Sequence, residues 1–225
     1  MDRKYYEAYD DRYRQVHAQG LRWFDEAPSE IVLQTMEAFG ITSALKLLEI
    51  GCGEGRDARF LLKKGYDLLA TDISGEAVAY CRREDPEHAD HYRVLDCVRG
   101  EMDESFDFIY AVAVVHMLVE DEDRRQFYRF MREHLKDKGI ALICTMCDGT
   151  SERSSDTSGA FTLQERIHEP TGKSVAVAST SYRAVSFESF ERELKESGLE
   201  ILKQGMTDIQ PDYWKMMYAV VKKQS

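Results

Sequence analysis

No apolar run in this 225-residue chain is long enough to cross a bilayer. The most apolar stretch, Phe108 to Val119, is short and contains His116, so it reads as a buried strand and the turn after it. The opening residues, Met1-Asp2-Arg3-Lys4-Tyr5-Tyr6-Glu7, hold no apolar core followed by a cleavage site, and the expectation is a soluble cytoplasmic protein with no membrane partner. Basic excess is also missing. Thirty Lys and Arg stand against 41 Asp and Glu, a formal charge of -11, and the basic residues are interleaved with acids instead of forming a stripe. Such a field repels phosphate backbones, so no nucleic-acid partner is expected.

A disulfide framework is absent too. The five cysteines, at 52, 81, 97, 144 and 147, are an odd number in a chain with no export signal, which fits reduced thiols. Cys144-Thr-Met-Cys147 has the spacing of a metal or redox pair, but a second pair and a thioredoxin-like setting are both missing, so it reads as the end of a strand and no metal is expected. There is no internal repeat. The one low-diversity polar stretch, Asp148 to Gly159, reads as a mobile loop.

What the chain does contain is 43% hydrophobic and 32% charged residues, enough for one α/β domain with additions. From Leu45 to Met146 short apolar runs alternate with amphipathic stretches. Strands are predicted at Leu45–Ile50, Leu68–Thr71, Arg93–Leu95, Phe106–Ala111 and Ile140–Thr145, with helices at Asp57–Lys64, Gly75–Arg83 and Asp121–Lys136 between them. This is the rhythm of a doubly wound, mostly parallel sheet with helices on both faces. Two helices are predicted ahead of it, one carrying Tyr6, Tyr9, Tyr13 and Val16 on one face and one starting at Pro28. Behind it, Phe161–His168 and Ser174–Arg183 flank Glu-Pro-Thr-Gly as an antiparallel hairpin; Ser186 caps a helix over Phe187–Glu196, and Leu199–Gln204 and Tyr213–Val221 complete seven strands. The organisation is therefore a single domain of four parts: an N-terminal helical lid (1–44), a cofactor-binding core (45–146), a loop and hairpin cap (147–186), and the last helix with terminal strands (187–225).

The informative segment is Leu47-Leu48-Glu49-Ile50-Gly51-Cys52-Gly53-Glu54-Gly55-Arg56, a strand running into three alternating glycines and then a helix. Glycines there permit a tight turn and close approach of the backbone to a ligand at the carboxyl edge of the first strand. A dinucleotide fingerprint needs G-x-G-x-x-G, and Arg56 stands where the third glycine belongs, so the NAD reading fails. Asp72, leaving the second strand, is placed to accept hydrogen bonds from both ribose hydroxyls of an adenosine.

These residues, with Asp72-Ile73-Ser74, Leu95-Asp96-Cys97, Phe106–Ala111 and Val114–Leu118, resemble the successive blocks of class I Rossmann-like S-adenosylmethionine-dependent methyltransferases, and the Gly-Arg-Asp run particularly resembles small-molecule enzymes of the tellurite-resistance and thiopurine kind. The resemblance implies S-adenosyl-L-methionine as cofactor. Gly51, Cys52, Gly53 and Gly55 would line its methionine portion, with Glu49 positioning that loop or the amino group. Asp72 would hold ribose, Ile73 would pack on adenine, Asp96 and the Cys97 backbone would read the adenine edge, and Ala111 would border the sulfonium. Met117 stands where a second His is frequent and Lys138-Gly139 where Gly-Gly is common, which leaves the acceptor's identity open.

The acceptor is expected to be a small molecule. His116 is the candidate for removing a proton from it, against a purely packing role. Tyr5, Tyr6, Tyr9, Tyr13, Trp23 and Phe24 form either an aromatic lid or the docking face of a helix, and Arg56 faces an anionic acceptor or is simply ion-paired. Arg166, His168, Tyr182 and Arg183 on the hairpin contact substrate if it caps the pocket; alternatively the hairpin edge pairs with a second copy, leaving monomer or homodimer open. A non-catalytic cofactor sensor and a protein or RNA methyltransferase are the rival functions. The second is disfavoured because Tyr110-Ala111-Val112-Ala113 replaces an Asn/Asp-Pro-Pro-Tyr-like tetrapeptide.

Overall fold

A computed structural model describes residues 3–23, 27–168, 171–209 and 213–224. Its order of elements is α1 (Ala8–His17), α2 (Glu30–Ala38), β1 (Lys46–Ile50), α3 (Arg56–Lys63), β2 (Asp67–Asp72), α4 (Gly75–Glu84), β3 (Tyr92–Val94), β4 (Phe106–Val112), α5 (Asp121–His134), β5 (Leu135–Thr145), β6 (Arg153–Ser154), β7 (Leu163–His168), β8 (Lys173–Ala178), β9 (Arg183–Ala184), α6 (Phe187–Glu196), β10 (Leu199–Ile209) and β11 (Tyr213–Lys223). Seven strands form one sheet in the order β10-β11-β5-β4-β1-β2-β3. β1 to β5 run parallel, and β11 is antiparallel to both of its neighbours. Strand order reverses between β1 and β4, so the loops leaving their carboxyl ends diverge and open a crevice.

The sheet is buried on both faces, which is why its strands read as continuous apolar runs. Neighbouring residues of a strand serve opposite cores because side chains alternate. Leu48, Ile50, Ala141 and Ile143 pack with Phe127 and Met131 of α5 and Phe190 and Leu194 of α6. Leu47, Leu68, Phe108 and Leu142 pack with Val32 and Met36 of α2 and Leu61 and Leu62 of α3. The same alternation separates Cys144 from Cys147, which lie in opposite cores, so the C-x-x-C spacing is that of a strand end.

Several boundaries differ from the sequence expectation. Helix α5 stops at His134, and β5 begins at once, because Leu135 pairs with Phe106 and Gly139 lies against the chain there; a Cβ on Gly139 would stand 2.9 Å from Phe106 O. Helix α2 starts at Glu30, with Ser29 at the cap position, one step beyond Pro28. The hairpin is shorter than predicted, β7 pairing with β8 only as far as Ala178. Beyond it the chain turns, so that Arg183–Ala184 pairs with Arg153–Ser154 and gives the polar loop a strand of its own. Ser186 caps α6 as predicted, its Oγ accepting the Ser189 N–H, and Gly198 ends the helix in the left-handed region at φ 75°.

Two additions cover the crevice. Val175 and Val177 of β8 pack on Val16 of α1, with Leu21 and Trp23 beside them, so hairpin and N-terminal helix form one cap. Phe24 and the Glu169-Pro170 half of the hairpin turn lie outside the described residues.

Candidate active site

The glycine turn after β1 is built by backbone geometry. Gly51, Gly53 and Gly55 all have positive φ, at 75°, 53° and 77°. A Cβ on Gly51 would overlap the Val114 side chain, and one on Gly55 would come within 2.8 Å of Cys81 Sγ. The N–H groups of Gly51 and Cys52 both donate to Thr71 O, at 2.7 and 2.9 Å, which ties the turn to the end of β2.

Asp72 follows there, buried. Its Oδ2 accepts the Gly53 N–H and its Oδ1 the Ser74 N–H, each at 2.8 Å. Burial holds its carboxyl above the ordinary value against these bonds. Glu49 accepts the Tyr110 hydroxyl at 3.1 Å, and burial, with Asp57 close by, pushes its carboxyl well up. Asp96 accepts from Val98 N–H at 2.9 Å, from Arg99 Nε at 2.8 Å and from the Tyr6 hydroxyl at 3.3 Å.

These groups open on a cavity of about 920 Å³ at the switch point. It is lined by Glu49, Gly51, Cys52, Gly53, Asp72, Ile73, Asp96 and Cys97, and further along by Tyr9, Tyr13, Arg56, His116, Arg166 and Tyr182. Two residues expected here do not line it. Ala111 is fully buried in the sheet core, and Val112, Ala113 and Val114 face the cavity in its place. Gly55 lies behind the turn against Cys81, where it allows α3 to pack closely. Nor do His168 and Arg183 line it: the first bonds Thr171 Oγ and Arg22 O, the second Val119 O and Asp121.

Arg12, Trp23, Met146, Arg153 and Thr180 also line the cavity. Trp23 was expected as part of the aromatic group, and Arg12 left a signal of its own, since it shares a helical face with Tyr9, Tyr13 and Val16. Its guanidinium donates twice to Ala178 O and lies over the rings of Tyr9 and Trp23, at 5.3 and 5.5 Å.

The aromatic face of α1 both docks the helix and roofs the cavity. Tyr6, Tyr9 and Tyr13 line it, Asp10 accepts from Ser74 Oγ at 2.8 Å and Glu76 N at 3.0 Å, and Tyr5 accepts the Val119 N–H at 2.8 Å. His17 closes the far end between Glu54 and Glu76. His116 lines the cavity with its Nδ1 buried and unpartnered. Burial, with Arg124 nearby, pushes it down to about 3, so it stands as a neutral imidazole across the physiological range. A group so shifted is a poor general base near neutrality.

The features fit S-adenosylmethionine. A turn free of side chains lies beside Asp72 and Glu49, whose carboxylates retain acceptor capacity, and Asp96 stands further along the same wall. No group of three or more His, Cys, Asp or Glu with metal-binding geometry occurs among the described residues.

This sheet order with this turn is the class I Rossmann-like methyltransferase fold. Residues 48–141 match the family described as a methyltransferase domain. The chain is 32% identical over 134 residues to Hemagglutinin 1 of Eikenella corrodens, covering 57% of this chain and 43% of that protein. It is 30% identical over 110 residues to a probable S-adenosyl-L-methionine-dependent methyltransferase, TehB, of Haemophilus influenzae, covering 48% and 38%. The chain thus matches less than half the length of either relative. Among solved structures, the glycopeptide N-methyltransferase MtfA complexed with S-adenosyl-L-homocysteine superposes with a TM-score of 0.64 over 90% of this chain and 91% of that one, at 21% identity, a likeness of fold. The chain thus combines a methyltransferase-domain match over residues 48–141 with a class I Rossmann-like methyltransferase fold.

Proposed function

We propose that the protein transfers the methyl group of S-adenosylmethionine to a small-molecule acceptor by in-line displacement, releasing S-adenosylhomocysteine. The reading rests on one observation: the glycine turn, Asp72 and Asp96 open on a cavity that continues past them to an aromatic and arginine-rich end under the cap. Its volume lies within the usual range of small-molecule sites, roughly 300–1,000 Å³.

In this reading the backbone of Gly51 and Gly53 with Glu49 receives the methionine portion, Asp72 the ribose, Ile73 the adenine face, and Asp96 with the Cys97 backbone the adenine edge. The cofactor supplies a methyl already activated by a positive sulfur. The protein's remaining work is to hold the nucleophile aligned and dry, for which well-oriented intramolecular reactions show that about 7–11 kcal/mol is available. Tyr9, Tyr13, Arg56, Arg166 and Tyr182 hold the acceptor beneath the cap, and neutral His116 offers it a hydrogen bond and takes no proton. The working environment is cytoplasmic, and the active unit is a monomer or homodimer. Among the described residues no helix is long and apolar enough to cross a membrane.

The test is formation of S-adenosylhomocysteine, followed by mass spectrometry, with panels of small acceptors, RNA and protein. Turnover confined to small acceptors supports the proposal. Methylation of RNA or protein, or cofactor binding with no turnover on any panel, contradicts it.

A further inference from the structure

Asp72 stands at the end of β2, and one of the bonds that orient it comes from Ser74, two residues on. Ser74 is completely buried and engaged on every side. Its N–H goes to Asp72 Oδ1 at 2.8 Å, its Oγ accepts the Ala77 N–H at 3.0 Å as the cap of α4, and its hydroxyl hydrogen goes to Asp10 Oδ1 at 2.8 Å. The same Asp10 oxygen accepts the Glu76 N–H at 3.0 Å. Two N–H groups of the first turn of α4, which have no partner within the helix, are thus satisfied, one by Ser74 and one by a residue 66 positions before Glu76 in the chain.

These bonds form one chain, from Asp10 on α1 to Ser74, to Asp72, and through Asp72 Oδ2 to the N–H of Gly53. Hydrogen bonds linked in this way polarise and orient one another, and a buried hydroxyl that loses its acceptor has to turn in search of another. Asp10 is the one acceptor of the Ser74 hydroxyl among the described residues. Charge does not explain an acid at this point, because burial pushes the Asp72 carboxyl upward and Asp10 adds to the push. The backbone of α4 does, since its first turn presents N–H groups and the positive end of the helix dipole to Asp10.

Resting on the methyltransferase reading, we infer that Asp10 is a positioning residue of the cofactor site, holding Ser74 so that Asp72 meets the ribose hydroxyls in one fixed orientation. Neither Asp10 nor Ser74 lines the cavity, so the effect passes through Asp72. The N-terminal segment is then more than a roof. It reaches both acidic residues assigned to the adenosine, Asp72 by way of Ser74 and Asp96 by way of the Tyr6 hydroxyl at 3.3 Å.

The experiment is calorimetric titration of wild type, Asp10→Ala and Asp10→Asn with S-adenosylhomocysteine and with its analogue lacking both ribose hydroxyls. Asp10→Ala should weaken S-adenosylhomocysteine about tenfold, the effect of losing a helix cap, and should leave the analogue within about twofold of its wild-type affinity. Asp10→Asn keeps an acceptor oxygen and should bring S-adenosylhomocysteine back to within about threefold of wild type. Ser74→Ala breaks the same link from its other side while retaining the N–H to Asp72, and it should show the same difference between the two ligands, which keeps the test available where Asp10→Ala does not fold. A merely structural loosening of α1 would weaken both ligands equally. That result, an unchanged affinity in Asp10→Ala, or no recovery in Asp10→Asn overturns the inference. Absence of S-adenosylhomocysteine binding by the wild type defeats the methyltransferase reading beneath it, and is distinguishable because no variant is needed to see it.

Discussion

The Asp72 carboxylate accepts the Gly53 N–H at 2.8 Å, so the residue assigned to the cofactor's ribose also fixes the turn assigned to its methionine portion. The two halves of the site are mechanically one, because Gly51 and Cys52 hang from Thr71, the residue before Asp72.

Asp72→Ala should therefore weaken S-adenosylmethionine and S-adenosylhomocysteine together. Hydrogen bonds to charged groups contribute about 1.5–3 kcal/mol, a factor of roughly 10–150 in affinity. Asp72→Asn retains one acceptor and should fall between wild type and Ala. Calorimetric titration of the three proteins checks the order.

Gly51→Ala meets two penalties, positive φ and overlap with Val114. The first costs about 1–2 kcal/mol and the second about 1–3. Gly65 has φ 80° and no heavy atom within 4 Å of the position a Cβ would take, so Gly65→Ala isolates the first. Urea denaturation should show Gly51→Ala the more destabilised of the two, with Val114→Ala in the same chain restoring part of the difference.

His17 has Nδ1 at 2.8 Å from Glu76 and Nε2 at 3.0 Å from Glu54 and stacks on Tyr80, 4.4 Å between centroids. Only the imidazolium can donate to both carboxylates. Burial pulls its pKa down, but the two carboxylates outweigh it and the net shift is upward. A group raised on folding stabilises most below its unfolded value, near 6.5, and that contribution is lost as pH rises through the folded value. Replacing His17 by Gln should reduce stability more at pH 6 than at pH 9, read from denaturant midpoints. An equal loss at both pH values would exclude the imidazolium charge as the cause.

Arg124 is 1% exposed and holds Val115 O at 2.7 Å, Leu118 O at 3.2 Å and Glu193, thereby fixing the turn that carries His116. Arg124→Ala removes the buried ion pair, leaving Glu193 with the Tyr128 hydroxyl and Arg183, frees Leu118 O and takes one of two donors from Val115 O, and should cost about 3 kcal/mol. Thermal unfolding measures this. His116→Gln, in contrast, should lower turnover by less than the roughly 100-fold minimum expected on losing a general base and should leave the pH profile unchanged near neutrality.

The cofactor half was legible in the sequence because its chemistry is local. A strand, a glycine turn and an acidic residue at the end of the next strand are each contiguous, and parallel pairing of β1 with β2 brings them together. The one-residue displacement from Ala111 to Val112 follows from strand alternation, which the apolar run Phe108 to Val119 conceals. The acceptor half was less legible because it is assembled from α1, the loop after β5, the hairpin and β11. Arg166 and Tyr182 reach the cavity, whereas His168 and Arg183, equally polar and equally close in sequence, serve Arg22 O and Asp121 instead. Nothing local distinguishes those pairs.

The decisive measurement is calorimetric titration of the purified protein with S-adenosylmethionine, S-adenosylhomocysteine and NAD, in wild type and Asp72→Ala. Wild type should bind the first two in the micromolar range, the variant should lose both, and NAD should bind to neither protein. Absence of binding by either methionine-derived ligand, or preference for NAD, would contradict the assignment of the glycine turn and the methyl-transfer function built on it.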